Sequence, residues 1–326
     1  MMRGMEMAVE RLNESQGPRF RLRPPARGST SAVQIAQQLR DDSTVIGVVG
    51  HPESGNSIEA VPVYADAEHA GRNAIVAISP TASSPRLSGI SPWFFRVAPS
   101  DDETARFVAR WVLDSLGARR AAVIYRNDSY GRDWSSTFSD AFVKGGAAVV
   151  ARHPYLTGLT EWDAYAQLLT RVKPDVLLFP GDAADAVQML RALHDATLTL
   201  TFIGGDGTEG MRDSSEAQGA HYAAFFHPDR VESEEGRTFV RRFQAKFRQR
   251  PDMFAAMSYD ATLAIGRSVA KGARTRLALR QALEHLGTHD TPAIEGVGGP
   301  IAFEKNHDVA GRAVVITAIG TGRGGH

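Results

Sequence analysis

Short apolar, β-branched runs alternate with longer segments of helical period along almost the whole 326-residue chain. The runs are TVIGVVG (44–50), AIVAIS (74–79), AAVIYR (121–126), DVLLFPG (175–181) and LTFIGG (200–205). Each is continuously apolar rather than alternating, which predicts parallel strands covered by helices on both faces. Between them lie segments such as SDDETARFVARWVLDSLG (100–117), where Ser100 and Glu103 form a capping box and Gly117 marks the stop. Its residues Phe107, Val108, Trp111 and Val112 fall on one face. The opening stretch MMRGMEMAVERLNESQG reads as an amphipathic helix with Met5, Ala8, Val9 and Leu12 on one side. It contains no apolar core of the kind a signal peptide carries. Residues 239–273 turn helical, and GPIAFE (299–304) and RAVVITAIG (312–320) close the chain as strand-like runs. The class is α/β, doubly wound.

The layout occurs twice. Residues 44–84 read strand, polar loop, helix, strand, polar loop, and residues 174–210 read the same way. The likeness is one of order, not of residue identity. It predicts two lobes of similar build, each presenting polar loops at the C-terminal ends of its strands, where open α/β sheets bind ligands. Two such edges facing one another would make a cleft. No low-complexity tether separates the lobes, so several short crossings are expected.

Composition narrows the function. Basic and acidic residues balance at 37 each, which argues against a phosphate-backbone footprint and hence against nucleic acid. No apolar run approaches the roughly 18 residues that span a bilayer. The absence of cysteine excludes disulfides and thiolate metal sites. The ten histidines show no metal-ligand spacing, and neither a nucleophile elbow nor a phosphate-binding G-x-x-x-x-G-K loop occurs. No catalytic residue, metal site or cofactor is expected.

The loop FIGGDGTEG (202–210) bears the spacing G-x-G-x-x-G at Gly205, Gly207 and Gly210. Three readings stand open. A dinucleotide loop needs a following helix, yet almost nothing apolar appears before Ala220. A plain turn with a capping aspartate is the second. The third is a ligand-facing Asp206, whose carboxylate would repel phosphate and attract an ammonium group. GHPESGNS (50–57) sets Ser54, Asn56 and Ser57 at a strand-to-helix junction, where free N–H groups and the helix dipole suit a carboxylate. Either serine could instead merely cap its helix. SPTASS (79–84) is a second hydroxyl-rich loop, and Tyr130 stands just past the strand AAVIYR. Hydroxyls and amides on one side and a carboxylate on the other complement a zwitterion.

These residues, with the collinear stretches FFRVAPSDDETARFVARWVLD, AAVIYRNDSYGRDW, KPDVLLFPGDAADAVQMLRAL and SYDATLAIGRSVAKGA, resemble the type I periplasmic binding proteins that serve branched-chain amino-acid (Leu/Ile/Val) ABC transporters. The resemblance covers nearly the whole chain. It implies two α/β lobes joined by a hinge: residues 1–98 with 229–297 on the ligand-carboxylate side, and 99–228 with 298–326 on the ammonium side. It places the carboxylate contacts at Ser54, Ser83 and the Ala82 backbone, and the ammonium contacts at Asp206 and Tyr130. Where relatives often set an aromatic over the ligand, this chain has Asp182. A second carboxylate disfavours a purely aliphatic ligand, because an unpaired buried charge is costly. A polar, cationic or amide-bearing ligand is then as well suited as leucine.

The resemblance also implies a first strand and ligand loop ahead of the helix near Arg3, in the middle of the first lobe's sheet. Their absence would expose strand edges inside a core. The expectation is a start roughly 20–50 residues upstream, with a signal peptide. The implied function is an extracytoplasmic, membrane-associated receptor, monomeric, that passes an amino acid or related zwitterion to a permease. A cytoplasmic ligand sensor on the same lobes and an α/β enzyme are the competing readings. The enzyme would need a nucleophile–base pair or a cofactor.

Overall fold

The computed structural model describes residues 1–26, 28, 31–158 and 160–320. The first hundred residues form helices α1 (Met2–Asn13), α2 (Ala32–Asp41) and α3 (Ser54–Tyr64) with strands β1 (Gly47–Val49), β2 (Val76–Ser79) and β3 (Phe94–Arg96). Next come α4 (Asp101–Asp114), β4 (Arg120–Arg126), α5 (Ser129–Lys144), β5 (Ala148–Tyr155), α6 (Asp163–Val172) and β6 (Val176–Phe179). Then follow α7 (Ala183–Asp195), β7 (Thr201–Gly204) and β8 (His221–Ala224). Last are α8 (Glu234–Phe247), α9 (Met253–Ala270), α10 (Arg276–Glu284), β9 (Ile294–Glu295), β10 (Pro300–Ile301) and β11 (Val315–Ala318).

Two compact units result, Met1–Ser100 with Phe225–Ala313 and Asp101–Ala224 with the segment from Val314. The chain passes between them three times, as the lack of a tether predicts. The expected boundaries at 98 and 228 lie within a few residues of those observed, but the third falls at 313 rather than 297. The reason lies in what 298–313 touches. Phe303 packs edge-on against Phe95, Asp308 pairs with the fully buried Arg96 at 2.6 Å, and Arg312 pairs with buried Asp260 at 2.9 Å. All are partners in the first unit. Of the segment assigned by sequence to the second lobe, residues 321–326 lie outside the described residues.

In the first unit β1, β2 and β3 form a parallel sheet in that order. Val48, Ile75 and Ala77 join Ala60, Val61 and Tyr64 of α3 in one core. On the other face a Cβ at Gly47 would sit 3.1 Å from Leu279 of α10 and 3.2 Å from Ile265 of α9, so these helices pack closely over the glycine. α1 buries Gly4, Met7, Ala8 and Leu12. At Gly4 a Cβ would meet the Ala255 carbonyl oxygen of α9 at 2.0 Å. Among the described residues β1 lies at one edge of this sheet. Beside it residues 20–25 run as irregular chain, and between the two lies a cavity of about 230 Å³ lined by Met5, Val9, Leu12, Val48 and Ile265.

The second unit holds a six-stranded sheet in the order β11-β8-β7-β6-β4-β5, parallel apart from the antiparallel edge strand β11. Strands β4 and β6 are buried along most or all of their length, which is why they read as unbroken apolar runs. β5 does not stand out as a run because the apolar AVVA is short and the following Arg152, His153 and Pro154 are exposed. One face is covered by α4 and α5, whose Val108, Val112, Trp134, Phe138 and Phe142 are completely buried. Phe138 stacks on Trp134 at 5.9 Å and on Phe142 at 5.2 Å. Replacing Phe138 with alanine is expected to lower unfolding stability by about 3–5 kcal/mol, through lost transfer energy and the cavity left behind. Urea unfolding followed by tryptophan fluorescence measures it, and a loss below about 1 kcal/mol would contradict this packing.

Candidate functional site

In the first unit the two hydroxyl-rich loops are stitched together by their own backbones. Ser54 opens α3, and its Oγ accepts from the backbone N–H groups of Ser83 (3.3 Å) and Ser84 (3.1 Å). The His51 carbonyl accepts from Ser57 Oγ (3.0 Å) and Ser79 Oγ (2.6 Å), and Thr81 Oγ1 donates to the Pro52 carbonyl. Below them, His51 Nε2 meets the buried Tyr64 hydroxyl at 3.0 Å, and burial pushes the imidazole below its usual pKa. Neither Ser54 nor Ser57 caps α3. Glu53 is the N-cap and makes no side-chain capping bond, so the helix's first N–H groups are left for another acceptor. Ser83 is 1% exposed, and its Oγ has no hydrogen-bond partner among the described residues. An orphan hydroxyl beside an uncapped helix end is a place for an anionic oxygen. The Ala82 N–H is not part of that offer, since it donates to Ser79 Oγ at 2.9 Å.

In the second unit Tyr130, Asp206 and Asp182 come together at the C-terminal edge of the sheet. Tyr130 lies in the first turn of α5, whose N-cap Asp128 accepts from the Gly131 N–H. Its hydroxyl donates to Asp206 Oδ1 at 3.0 Å and accepts from the Gly207 N–H at 3.4 Å. Asp206 is 4% exposed, and burial pushes its pKa up to about 6, with the Tyr130 hydrogen bond and the Arg126 charge acting against that rise. Burial, then the Asp206 carboxylate, pushes the Tyr130 hydroxyl well above its usual range.

The glycine spacing of this loop has a packing cause. At Gly205 a Cβ would stand 2.2 Å from the Tyr130 hydroxyl, and at Gly207 it would stand 2.6 Å from the Gly181 carbonyl oxygen. The chain continues as a 3-10 helix, Asp206–Asp213, rather than as the α-helix a pyrophosphate loop requires. These glycines bring the loop against Tyr130 and the β6–α7 turn.

Asp182 caps α7, its Oδ1 accepting from the Asp185 N–H at 3.0 Å, while Oδ2 lies 3.5 Å from Arg126 Nη1. Three neighbours escaped the sequence reading: Arg126, Tyr155 and Asp185. Arg126 ends β4 and stacks over the Tyr130 ring at 5.9 Å. The strand-edge reasoning that selected Tyr130 applied equally to it. Tyr155 ends β5 beyond the exposed Arg152, His153 and Pro154, so the apolar run AVVA does not reach it. Burial, then the adjacent Asp182 charge, pushes Asp185 up to about 6.

Asp206 leaves a signature in stability. Its pKa in the unfolded chain is about 3.9, so the native state holds the proton more tightly. Its contribution is therefore fully present below about pH 4 and is lost as pH rises to about 6, by roughly 2–3 kcal/mol in all. Asp206→Asn is expected to abolish that slope and to melt higher than the parent above pH 6. Thermal melts of both proteins from pH 4 to 8 test it, and parallel profiles would refute a buried, strained carboxylate.

The family model described as periplasmic binding protein matches residues 1–324. An amino acid binding protein of Pseudomonas aeruginosa is 26% identical over 254 residues, covering 74% of this chain and 66% of its own length. The Leu/Ile/Val-binding protein homolog 3 of Brucella melitensis is 25% identical over 321 residues, 94% of this chain and 83% of that protein. Among solved structures, an ABC transporter substrate-binding protein from Desulfitobacterium hafniense in complex with Leu is 28% identical with a TM-score of 0.82, covering 99% of this chain and 93% of that one. A leucine binding protein from Thermotoga maritima, at 19% identity, shares the fold with a TM-score of 0.88 over 99% and 91% of the two chains. Among the described residues no helix is long and apolar enough to cross a membrane. With a family match over essentially its whole length, the chain belongs to the periplasmic binding proteins.

Proposed function

We propose that this protein is the extracytoplasmic solute-binding component of an ABC transporter, taking an amino acid or a related small zwitterion and passing it, as a monomer, to a membrane permease. The buried Asp206 carboxylate is the observation that carries the reading. Its one side-chain donor is Tyr130, and burial holds its pKa near 6. An arriving ammonium group would relieve that cost, through a charge-assisted hydrogen bond in a poorly solvated place. The hydroxyls of Ser54 and Ser83 and the first N–H groups of α3 suit the ligand carboxylate. The Ala82 backbone has only its carbonyl to offer, so its expected role as a carboxylate donor passes to its neighbours. The role is binding rather than catalysis, because Ser54 Oγ is held by two backbone N–H donors instead of by a base. The amino-acid and Leu-bound relatives support the same ligand class.

A thermal-shift screen against amino acids, their amides and small carboxylates tests this. A ligand at 100 times its Kd should add about 2.7 kcal/mol of stability. Asp206→Ala should remove the shift. Affinity should also weaken as pH falls below about 6, because protonated Asp206 no longer attracts the ammonium. A folded protein that ignores every zwitterion, with Asp206→Ala behaving like the parent, would overturn the assignment.

A further inference from the structure

One tyrosine ring away from Asp206 stands a second polar pair with a different geometry. Arg126 Nε is committed to Asp128 Oδ2 at 2.5 Å. Its Nη1 and Nη2 make no hydrogen bond among the described residues, and the nearest approach is the 3.5 Å from Nη1 to Asp182 Oδ2. Asp182 Oδ1 is spent on capping α7, while Oδ2 makes only the long 3.5 Å ion pair with Arg126 and keeps room to accept a hydrogen bond. The two side chains are 19% and 31% exposed, so the pair sits at the wall of the site rather than out in solvent. The wall is also rigid. Arg126 N–H donates to the Pro180 carbonyl at 3.0 Å, and Asn127 N–H donates to the Tyr155 carbonyl at 2.8 Å, which fixes the ends of β4, β5 and β6 together.

A third polar group points here. Tyr155 is 2% exposed, and its hydroxyl lies against the Asp185 side chain and the Asp182 backbone. The hydroxyl stands where a Cβ of Gly181 would be, 2.1 Å away, in the field of Asp185, Asp182 and Arg126. A donor surface (Arg126) and an acceptor (Asp182 Oδ2) thus meet beside the Asp206 pocket, with the Tyr155 hydroxyl behind them.

We propose that Arg126 and Asp182 read a primary amide on the ligand's side chain, the guanidinium donating to the amide oxygen and Asp182 Oδ2 accepting from the amide N–H. The proposal rests on the ammonium of a zwitterion lying at Asp206. A primary amide offers one acceptor oxygen and two donors on neighbouring atoms and carries no charge. An aliphatic side chain would strip water from both groups and return nothing. A side-chain carboxylate would join Asp128, Asp182 and Asp206 around a single guanidinium. A side-chain ammonium would compete with Arg126 for Asp182.

Isothermal titration calorimetry with glutamine, asparagine, leucine, glutamate and lysine tests the proposal on the whole chain. One of the two amides should bind roughly 10–100-fold tighter than leucine. Arg126→Leu should bring that ratio down to about one, as expected for a lost charged hydrogen bond. Asp182→Asn keeps the α7 cap while exchanging the free acceptor, and it should lower the same ratio; it covers the case in which Arg126→Leu fails to fold. Leucine binding as tightly as both amides, or both variants weakening all ligands equally, would overturn the amide reading while leaving the zwitterion receptor standing. If no amino acid binds and Asp206→Ala changes nothing, both readings fall together.

Discussion

A buried carboxylate with no ion-pair contact among the described residues is the constraint around which the second unit is arranged. Asp206 stays out of water because three loops close over it, each at the C-terminal end of a parallel strand. Tyr130 comes from the turn after β4, Gly181 from the turn after β6, and Gly205 and Gly207 from the end of β7. Besides its own backbone N–H, the carboxylate has one side-chain hydroxyl as a donor, short of what a fully satisfied buried carboxylate takes. Such an arrangement costs stability in the unliganded protein and returns it when a cation binds. In the proposed reading, binding energy falls on the group that distinguishes an amino acid from a simple carboxylic acid.

The first unit solves the opposite problem. Its polar loops are nearly satisfied from within, serine to backbone and backbone to serine, and only the Ser83 hydroxyl and the N-terminal amides of α3 remain open. Those open groups are neutral donors, which would suit an anion through direction rather than net charge. The buried pairs Arg96–Asp308 and Arg312–Asp260 lie elsewhere in the same unit. Arg312 also donates through Nε to the Val97 carbonyl, which joins two of the three segments that leave the unit. Charge in this unit serves to fix chain paths.

Much of this was legible in the sequence, for identifiable reasons. Strands β1, β2, β4, β6 and β7 are legible because their central positions are covered and apolar. β5 and β8 are not, since one is an exposed edge and the other a four-residue stretch, HYAA, without β-branched residues. The amphipathic face of α1 was placed nearly correctly, but Met7 and Gly4 are buried where Met5 and Val9 were expected. Gly4 carries no hydrophobic signal, and only the approach of the Ala255 carbonyl explains it. The third unit boundary was misjudged because residues 298–313 look strand-like while their anchoring partners, Arg96, Phe95 and Asp260, lie far away in sequence. Single-sequence patterns carry period and burial; they do not carry which distant side chain answers a buried charge.

The same limit explains why the glycine loop was ambiguous and how geometry decides it. G-x-G-x-x-G describes positions where a Cβ does not fit, and a pyrophosphate is only one of the objects that can stand in that place. Here the occupant at Gly205 is the Tyr130 hydroxyl and the occupant at Gly207 is a backbone carbonyl. Both are oxygen atoms of the protein itself, and a phosphate would have to displace them next to a carboxylate. The glycines therefore serve Asp206: they let the tyrosine approach closely enough to donate, and they let the loop bend so that the carboxylate stays buried beside it. One spacing can thus hold an anion or present one, and the side chain between the first two glycines settles which.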